Sequence, residues 1–403
     1  MSAHKAAHPD LGAPTVPSVS RLLHHPSPAL APTTRVTRHK VAFTANLRTY
    51  YPIWLKGLLL CGLTLGLYYP WARTQRQRFL LAHTAMAGHP LALNLNSPAM
   101  ARLHALQASL GALALGSVWW LQGRPRVLAL GALMVLWPVA LHLGQRIRLA
   151  HTSWQGQALR FTGKLGQAAR LIWAPLCSLA IVAGLSIWAA RRWSNGSPRL
   201  AGMIAAIPTA LALYALLPYA WWHLQRYRQS HLAWGTLQMR FRGSALEAGT
   251  LFVKTGLVAV ASTALAIGLF LVLLLLAVSS LPAGSPMSTH QVYQKMWPAL
   301  ALFIGAAWLI PHAYFVSRSQ NLVWTETGNE WLRFKSDLGT KALLSLSLKN
   351  ALLTVLSLGL YWPAAQLAWW QLRLSSVQMH TRLHTGLAPQ QWVPPAEPLT
   401  SAA

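Results

Sequence analysis

Long apolar stretches alternate with short polar ones along the whole chain. Runs near twenty residues recur at 53–71, 100–121, 127–145, 171–190, 200–223, 251–279, 297–317 and 343–370. That is the length a helix needs to cross a bilayer's hydrocarbon core. Between runs the period changes. In Thr152-Ser153-Trp154-Gln155-Gly156-Gln157-Ala158-Leu159-Arg160-Phe161 polar and apolar positions alternate on both sides of Gln-Gly, which predicts a small β-hairpin. The pattern predicts an all-α polytopic membrane protein of about eight membrane helices, with short β-hairpins at one membrane face.

The runs are related to one another. Leu63-Thr64-Leu65-Gly66-Leu67-Tyr68-Tyr69-Pro70-Trp71-Ala72 closes the first, and Leu356-Ser357-Leu358-Gly359-Leu360-Tyr361-Trp362-Pro363-Ala364-Ala365 repeats it in the last. From Lys56 to Ala72, ten of seventeen positions match Lys349 to Ala365. A second pattern begins with Pro in each inner segment: Pro70, His83, Gly88, Leu93; Pro138, His151, Gly156, Phe161; Pro218, His231, Gly235, Phe241; Pro311, Trp324, Gly328, Phe334. The second position follows Pro by 13 residues in all four and precedes the last by 10, so the chain is built from repeated units. Phe-x-Gly closes the hairpin at Phe161/Gly163 and Phe241/Gly243, with Phe334/Ser336 as the variant.

Composition fixes the solvent. Hydrophobic residues make up 54% of the 403 and charged ones 10%, against about a quarter charged in soluble domains. Many of the Trp residues sit at run ends, among them Trp54, Trp71, Trp119, Trp120, Trp221, Trp222, Trp369 and Trp370, as interfacial belts do. The net charge is +28, but Lys and Arg fall between apolar runs. The expected partners are therefore anionic membrane lipids and not nucleic acid. Residues 1–40, rich in Pro, Ser, His and Ala with no apolar core, read as a disordered tail; 41–385 as one repeat-built membrane domain; 386–403 as a second disordered tail.

These motifs resemble those of the YjgN family of bacterial inner-membrane proteins, a domain of unknown function numbered 898. Thr64-Leu65-Gly66-Leu67-Tyr68 with Trp71-Ala72 is similar to that family's first motif, Ser357-Leu358-Gly359-Leu360-Tyr361 to its second copy, and Gln320-Asn321-Leu322-Val323-Trp324 to another stretch. The resemblance covers roughly 43–385 and implies a multi-pass inner-membrane location. It implies no activity. His83-Thr84 and His151-Thr152 depart from the family's usual Asn-Thr, and Phe43-Thr44-Ala45 lacks the Gly of Phe-x-Gly.

Candidate chemistry is sparse. None of the six carboxylates, Asp10, Glu247, Glu326, Glu330, Asp337 and Glu397, lies in an apolar run, which disfavours proton- or sodium-coupled transport. His83, His151 and His231 hold equivalent positions, and turn or headgroup hydrogen bonding suits them better than a metal. Cys61 and Cys177 both lie in apolar runs, so no disulfide framework or cysteine metal site is expected. Nucleophile, phosphate-loop and dinucleotide motifs are absent, so an enzyme is not expected, and neither is a cofactor. The binding candidates are Lys56 and Lys349, which open the two repeated copies, and Arg146, Arg148, Arg226 and Arg228, which follow Pro138 and Pro218. Thr64, Gly66, Tyr68, Pro70, Trp71, Ser357, Gly359, Tyr361 and Pro363 form the structural motif.

The first and last runs allow two courses: full spans, or re-entry at Thr64-Leu65-Gly66 and Ser357-Leu358-Gly359. Six spans with two re-entrant runs gather almost all loop Lys and Arg on one face, which the positive-inside rule makes cytoplasmic together with both termini. Two functions fit this reading: a transporter or channel for a small solute or anion, and a lipid-interacting or scaffold protein of the inner membrane.

Overall fold

The computed structural model describes residues 35–93, 98–120, 122–194, 197–235, 237–279 and 289–383. Helical hairpins and β-hairpins alternate through it. Strand β1 (Arg35–Phe43) leads into helices α1 (Leu47–Leu63) and α2 (Tyr69–Ala82), then strands β2 (Thr84–Met86) and β3 (His89–Leu93). Helices α3 (Ala99–Trp119) and α4 (Arg124–Ala150) precede β4 (Thr152–Trp154) and β5 (Gln157–Phe161). Helices α5 (Leu165–Trp193) and α6 (Pro198–Ser230) precede β6 (Leu232–Trp234), β7 (Leu237–Gln238) and β8 (Arg240–Phe241). Helices α7 (Ala245–Ser279) and α8 (Thr289–Thr325) precede β9 (Thr327–Gly328) and β10 (Leu332–Ser336); α9 (Thr340–Leu356), α10 (Trp362–Ser375) and β11 (Val377–Leu383) close the chain.

The expectation of an all-α protein with eight membrane helices and separate hairpins is corrected here. The strands form one antiparallel sheet in the order β7-β6-β5-β4-β3-β2-β1-β11-β10-β9-β8. Its two ends, β7 and β8, are joined through Met239, whose N–H bonds the carbonyl of Leu232 on β6 while β8 pairs with β9. The sheet therefore comes close to a closed barrel. Each internal hairpin pairs with the next hairpin along the chain, and the two ends of the chain supply the missing one. There β1 lies against β11 from Arg35 opposite Leu383 to Lys40 opposite Gln378.

Helices close a second ring above the strands. Each packs on its successor, and α10 packs on α1. Five are long and apolar enough to cross a membrane: Arg124–Ala150, Leu165–Trp193, Pro198–Ser230, Ala245–Leu276 and Met296–Thr325. The others fall outside that class for identifiable reasons. Helix α3 carries Arg102, His104 and Gln107 in its first half. Helices α1 and α9 have 17 residues and α2 and α10 have 14, about 25 and 21 Å at 1.5 Å per residue. The 53–71 and 343–370 runs read as continuous because the residues at their turns are leucines, yet the chain reverses at both.

Local chemistry makes the units alike. Ala87-Gly88 and Gln155-Gly156 have positive φ at both residues (49° and 81°, 52° and 78°), the backbone a two-residue hairpin turn needs. The residues after β1, β5, β8 and β10 donate their N–H groups to the carbonyl that caps the neighbouring helix: Thr44 to His83, Thr162 to His231, Arg242 to Glu326, Asp337 to Ser376. These bonds reset the fourth repeat. Glu326, not Trp324, occupies the His position, and Ser336, not Phe334, ends the strand. Phe334 points into the barrel. The Phe-x-Gly motif has a steric cause: a Cβ on Gly163 would lie 2.6 Å from the Phe161 ring and one on Gly243 would lie 2.7 Å from Phe241.

The core fills the barrel. Val41, Trp154, Trp234, Leu237, Met239, Leu332, Phe334, Val377 and Met379 form one buried cluster, with Met86, Leu91 and Leu159 against it, so strands from all around the ring contribute. The Trp154 and Trp234 rings lie 4.4 Å apart. Their indole nitrogens donate to the carbonyls of Met86 and Trp154, both at 3.2 Å, which satisfies both polar atoms of the plug.

The domain boundary expected at residue 40 cuts through β1; the remainder of that tail, and 386–403, lie outside the described residues. Residues 1–34 carry no apolar run in the sequence, so removing them should leave membrane accumulation and monodispersity unchanged. Removing 1–43 takes away β1, unpairs both β11 and β2, and should abolish the monodisperse peak in fluorescence-detected size-exclusion chromatography.

Candidate functional site: a polar collar between barrel and helices

The second helix of every hairpin runs down into a strand, and its last turn is capped in a repeated way. His83, His151 and His231 bond through Nδ1 to the carbonyls of Phe79, Ile147 and Tyr227 at 2.8, 2.8 and 2.9 Å. Thr84, Thr152 and Thr327 donate their hydroxyls to the carbonyls of Leu80, Arg148 and Val323. Carbonyls that a helix end leaves open are thereby satisfied. These bonds assign the three histidines to helix capping.

Six residues above each cap lies a glutamine in four of the five units: Gln77, Gln145, Gln225 and Gln320. Three above it lies an arginine in three of them: Arg148, Arg228 and Arg373. On a helix these positions share a face. With its amide oxygen turned toward the guanidiniums, buried Gln145 accepts from Arg148 Nη2 at 3.2 Å and from Arg228 Nε at 3.3 Å. One glutamine thus ties α4 to α6. Arg73 of α2 lies within electrostatic reach of Arg148, and Thr74 beside it bonds His104 Nδ1 of α3 at 3.0 Å.

On the other side of the collar the same register is fully bonded. Gln320 accepts from Arg373 Nε and donates to the Arg373 carbonyl at 2.9 Å, Ser376 Oγ at 3.0 Å and Ser336 Oγ at 3.3 Å. Asn321 accepts from the Leu338 N–H at 2.8 Å and from Ser336 Oγ at 2.9 Å. Arg373 also lies over the Trp369 ring at 4.1 Å. The Gln320-Asn321 stretch is a structural joint linking α8, β10 and α10.

The expected lipid-binding arginines separate into two pairs. Arg148 and Arg228 meet at Gln145. Arg146 and Arg226 lie roughly 200° away around their helices and are exposed, with Arg226 over the Trp222 ring at 5.3 Å. Lys56 and Lys349 are both exposed, each in the middle of its short helix and apart from the collar. Neither the two-pair split nor the Gln register was singled out in the sequence, although a glutamine recurs within two residues of an arginine in each of the four segments.

The repeated motif forms two copies of one turn. Leu65 and Gly66 have φ of 48° and 89°, Leu358 and Gly359 51° and 90°. The Thr64 and Ser357 hydroxyls accept from the N–H groups of Tyr68 and Tyr361 at 3.0 and 2.9 Å. Gly66 and Gly359 donate to the carbonyls of Cys61 and Thr354 at 2.7 and 2.8 Å. Pro70 and Pro363 start the returning helices and are buried, while the Tyr68 and Trp71 rings stack at 6.3 Å. The leucines between point outward, Leu65 at 95% exposed and Leu358 at 94%.

The outer face of the β1–β11–β10 seam is basic. Arg38 and Arg333 both lie opposite His380, and Lys40 and Lys335 both lie opposite Gln378. Partial burial, with Arg38 and Lys335 nearby, holds the His380 imidazole below the usual histidine range.

A family model described as a bacterial protein of unknown function matches residues 38–390, which takes in nearly the whole ring from β1 to β11. The chain belongs to the DUF898 family. No curated protein and no solved structure matches it. In this DUF898 protein five helices have the length and composition of membrane spans, and the collar sits where those helices meet the barrel.

The turn is a test of its own glycine. Gly66→Val places a β-branched residue at a φ of 89°, a left-handed conformation that costs about 1–2 kcal/mol. The melting temperature of the purified protein should fall accordingly. Gly62→Ala, one turn earlier in regular helix with open space around its Cβ, should not lower it.

Proposed function

We propose that this protein is a lipid-interacting scaffold of the bacterial inner membrane that neither transports nor catalyses. One observation carries the reading: the barrel beneath the helices is filled by Trp154, Trp234, Met239, Phe334 and Met379, an apolar plug on the axis where a solute path would run. The outward arginines support it. Arg146, Arg226 and the rest of the basic segments lie at the depth where long helices leave the bilayer, and each is worth about 1 kcal/mol against an anionic leaflet. A transporter or channel for a small solute or anion is the second reading. It draws on the inward guanidiniums at Gln145, which would give an anion a place to rest.

Reconstituted liposomes separate the two. The scaffold reading expects solute and anion leakage equal to that of empty liposomes, together with anionic phospholipid that survives detergent purification. Replacing Arg146, Arg148, Arg226 and Arg228 together by Gln should strip most of that lipid. Saturable flux, or lipid retention unchanged in the quadruple variant, would sink it.

The same reading places the barrel and both termini in the cytoplasm, because the basic residues crowd the barrel side of the helices. In a Cys61→Ser, Cys177→Ser background, cysteines at Thr44 and Arg240 should resist a membrane-impermeant thiol reagent in intact cells. A cysteine at Ser197, on the α5–α6 connection, should react. Labelling of Thr44 and protection of Ser197 would invert the orientation.

A further inference from the structure

Two guanidiniums meet between α4 and α6, with that of Arg73 on α2 within electrostatic reach of one of them, and among the described residues no carboxylate meets them. Arg148 and Arg228 share the single carbonyl oxygen of Gln145. The charge of Arg148 is felt at Arg228, and that of Arg73 at Arg148. His104 of α3, buried, lies within electrostatic reach of Arg73 and Arg148 and is bonded by Thr74. Of the six carboxylates in the chain, Asp10, Glu247, Glu326, Glu330, Asp337 and Glu397, none is on α2, α3, α4 or α6.

Each guanidinium offers five N–H donors and accepts nothing. One amide oxygen answers one donor from each of two arginines, so most of their capacity is unspent. Like charges brought together oppose one another, and a neutral glutamine does not cancel them. The equivalent Arg373 shows what a finished structural arginine looks like in this fold: it bonds Gln320 and stacks on Trp369. Arg148 instead keeps an accessible side chain.

We propose that Arg73, Arg148 and Arg228, with Gln145 holding the latter two, form a binding site for a phosphate-bearing anion at the membrane side of the barrel. Guanidinium forks match phosphate oxygens two at a time, and the two forks held at Gln145 from two helices, with the charge of Arg73 in reach, suit a phosphate that bridges them. Arg148 and Arg228 stand about 5 Å above the caps of their helices at 1.5 Å per residue, where two helices of membrane-spanning length run into the barrel. The phosphate can belong to such a headgroup or be free in solution. The inference goes beyond the scaffold reading, since the site would hold an anion whether or not any solute crosses.

The test uses the full-length protein in nanodiscs. Calorimetric titration of inorganic phosphate into phosphatidylcholine discs reads the free anion. Native mass spectrometry of protein released from phosphatidylglycerol-containing discs reads the headgroup. R148Q/R228Q should weaken whichever binding the wild type shows by about tenfold or more, and R191Q/R192Q, exposed in the last turn of α5 at the end away from the barrel, by less than about twofold. The single variant R73Q removes one corner of the site and should weaken the same binding several-fold, which keeps the test open if the double variant fails to fold. Phosphate binding assigns a soluble ligand, and a tightly held phosphatidylglycerol without it assigns the lipid. No binding of either by the wild type, or binding unchanged in R73Q, overturns the site. Flux in the liposome assay would remove the scaffold reading and leave this one standing.

Discussion

Closure of the sheet is the constraint from which the rest follows. Its strands are two to nine residues long, and a lone hairpin of that size is marginal in water. Here each hairpin has a neighbour on both sides, and the first and last strands meet at the seam from Arg35 opposite Leu383 to Lys40 opposite Gln378. A nearly closed sheet leaves little unpaired edge, and closure creates an interior that Trp154, Trp234 and Met379 fill. It also makes the two ends of the chain interdependent: β1 has no partner for most of its length until β11 has been made.

The ring sets what the helices can do. Every helical hairpin begins and ends at one sheet, so its reach is decided by helix length alone. The long hairpins reach about 40–55 Å at 1.5 Å per residue, enough for a hydrocarbon core of about 30 Å with the interface to spare. The α1–α2 and α9–α10 hairpins stop near half that height. Their tips hold leucines that are almost wholly exposed on the protein, the kind of apolar surface that lipid or a partner covers. The two short hairpins flank the seam and pack on one another, so the low side of the helical wall stands over the place where the chain closes.

Much of this was legible in the sequence and some of it could not be. The repeat spacing from Pro70, Pro138, Pro218 and Pro311 located the units, and Gln155-Gly156 located a turn, because both are local. The sheet was not legible. Thr152–Trp154 and Leu232–Trp234 are three residues each, and they pair with strands from neighbouring hairpins about seventy residues away in sequence, a relation that alternation within one hairpin does not contain. Residues 35–40 looked like tail because they are mostly basic and polar, yet Val36, Arg38 and Lys40 are exposed while Thr37 and His39 between them are partly buried. That alternation is itself the mark of a strand with one face in solvent. The fourth unit was read two residues out of register because an aromatic stands at Trp324 and at Phe334. The hydrogen bond from Arg242 to Glu326 shows the backbone equivalence that side-chain similarity obscured.

Repetition also offers an internal control on where structure ends and binding begins. The collar places a glutamine six residues above the cap in four units and an arginine three above it in three. At α8 and α10 these groups are consumed by the fold: Gln320 makes four bonds and Arg373 lies on Trp369. At α4 and α6 the same residue types in the same register meet only Gln145, while Arg73 adds a third charge. If the arginines served packing alone, each unit would be expected to carry its own acceptors, as the fourth and fifth units do. A chain with six carboxylates has placed none of them on α2, α4 or α6. Among the described residues the charge there is uncompensated, which belongs to the site and not to the repeat.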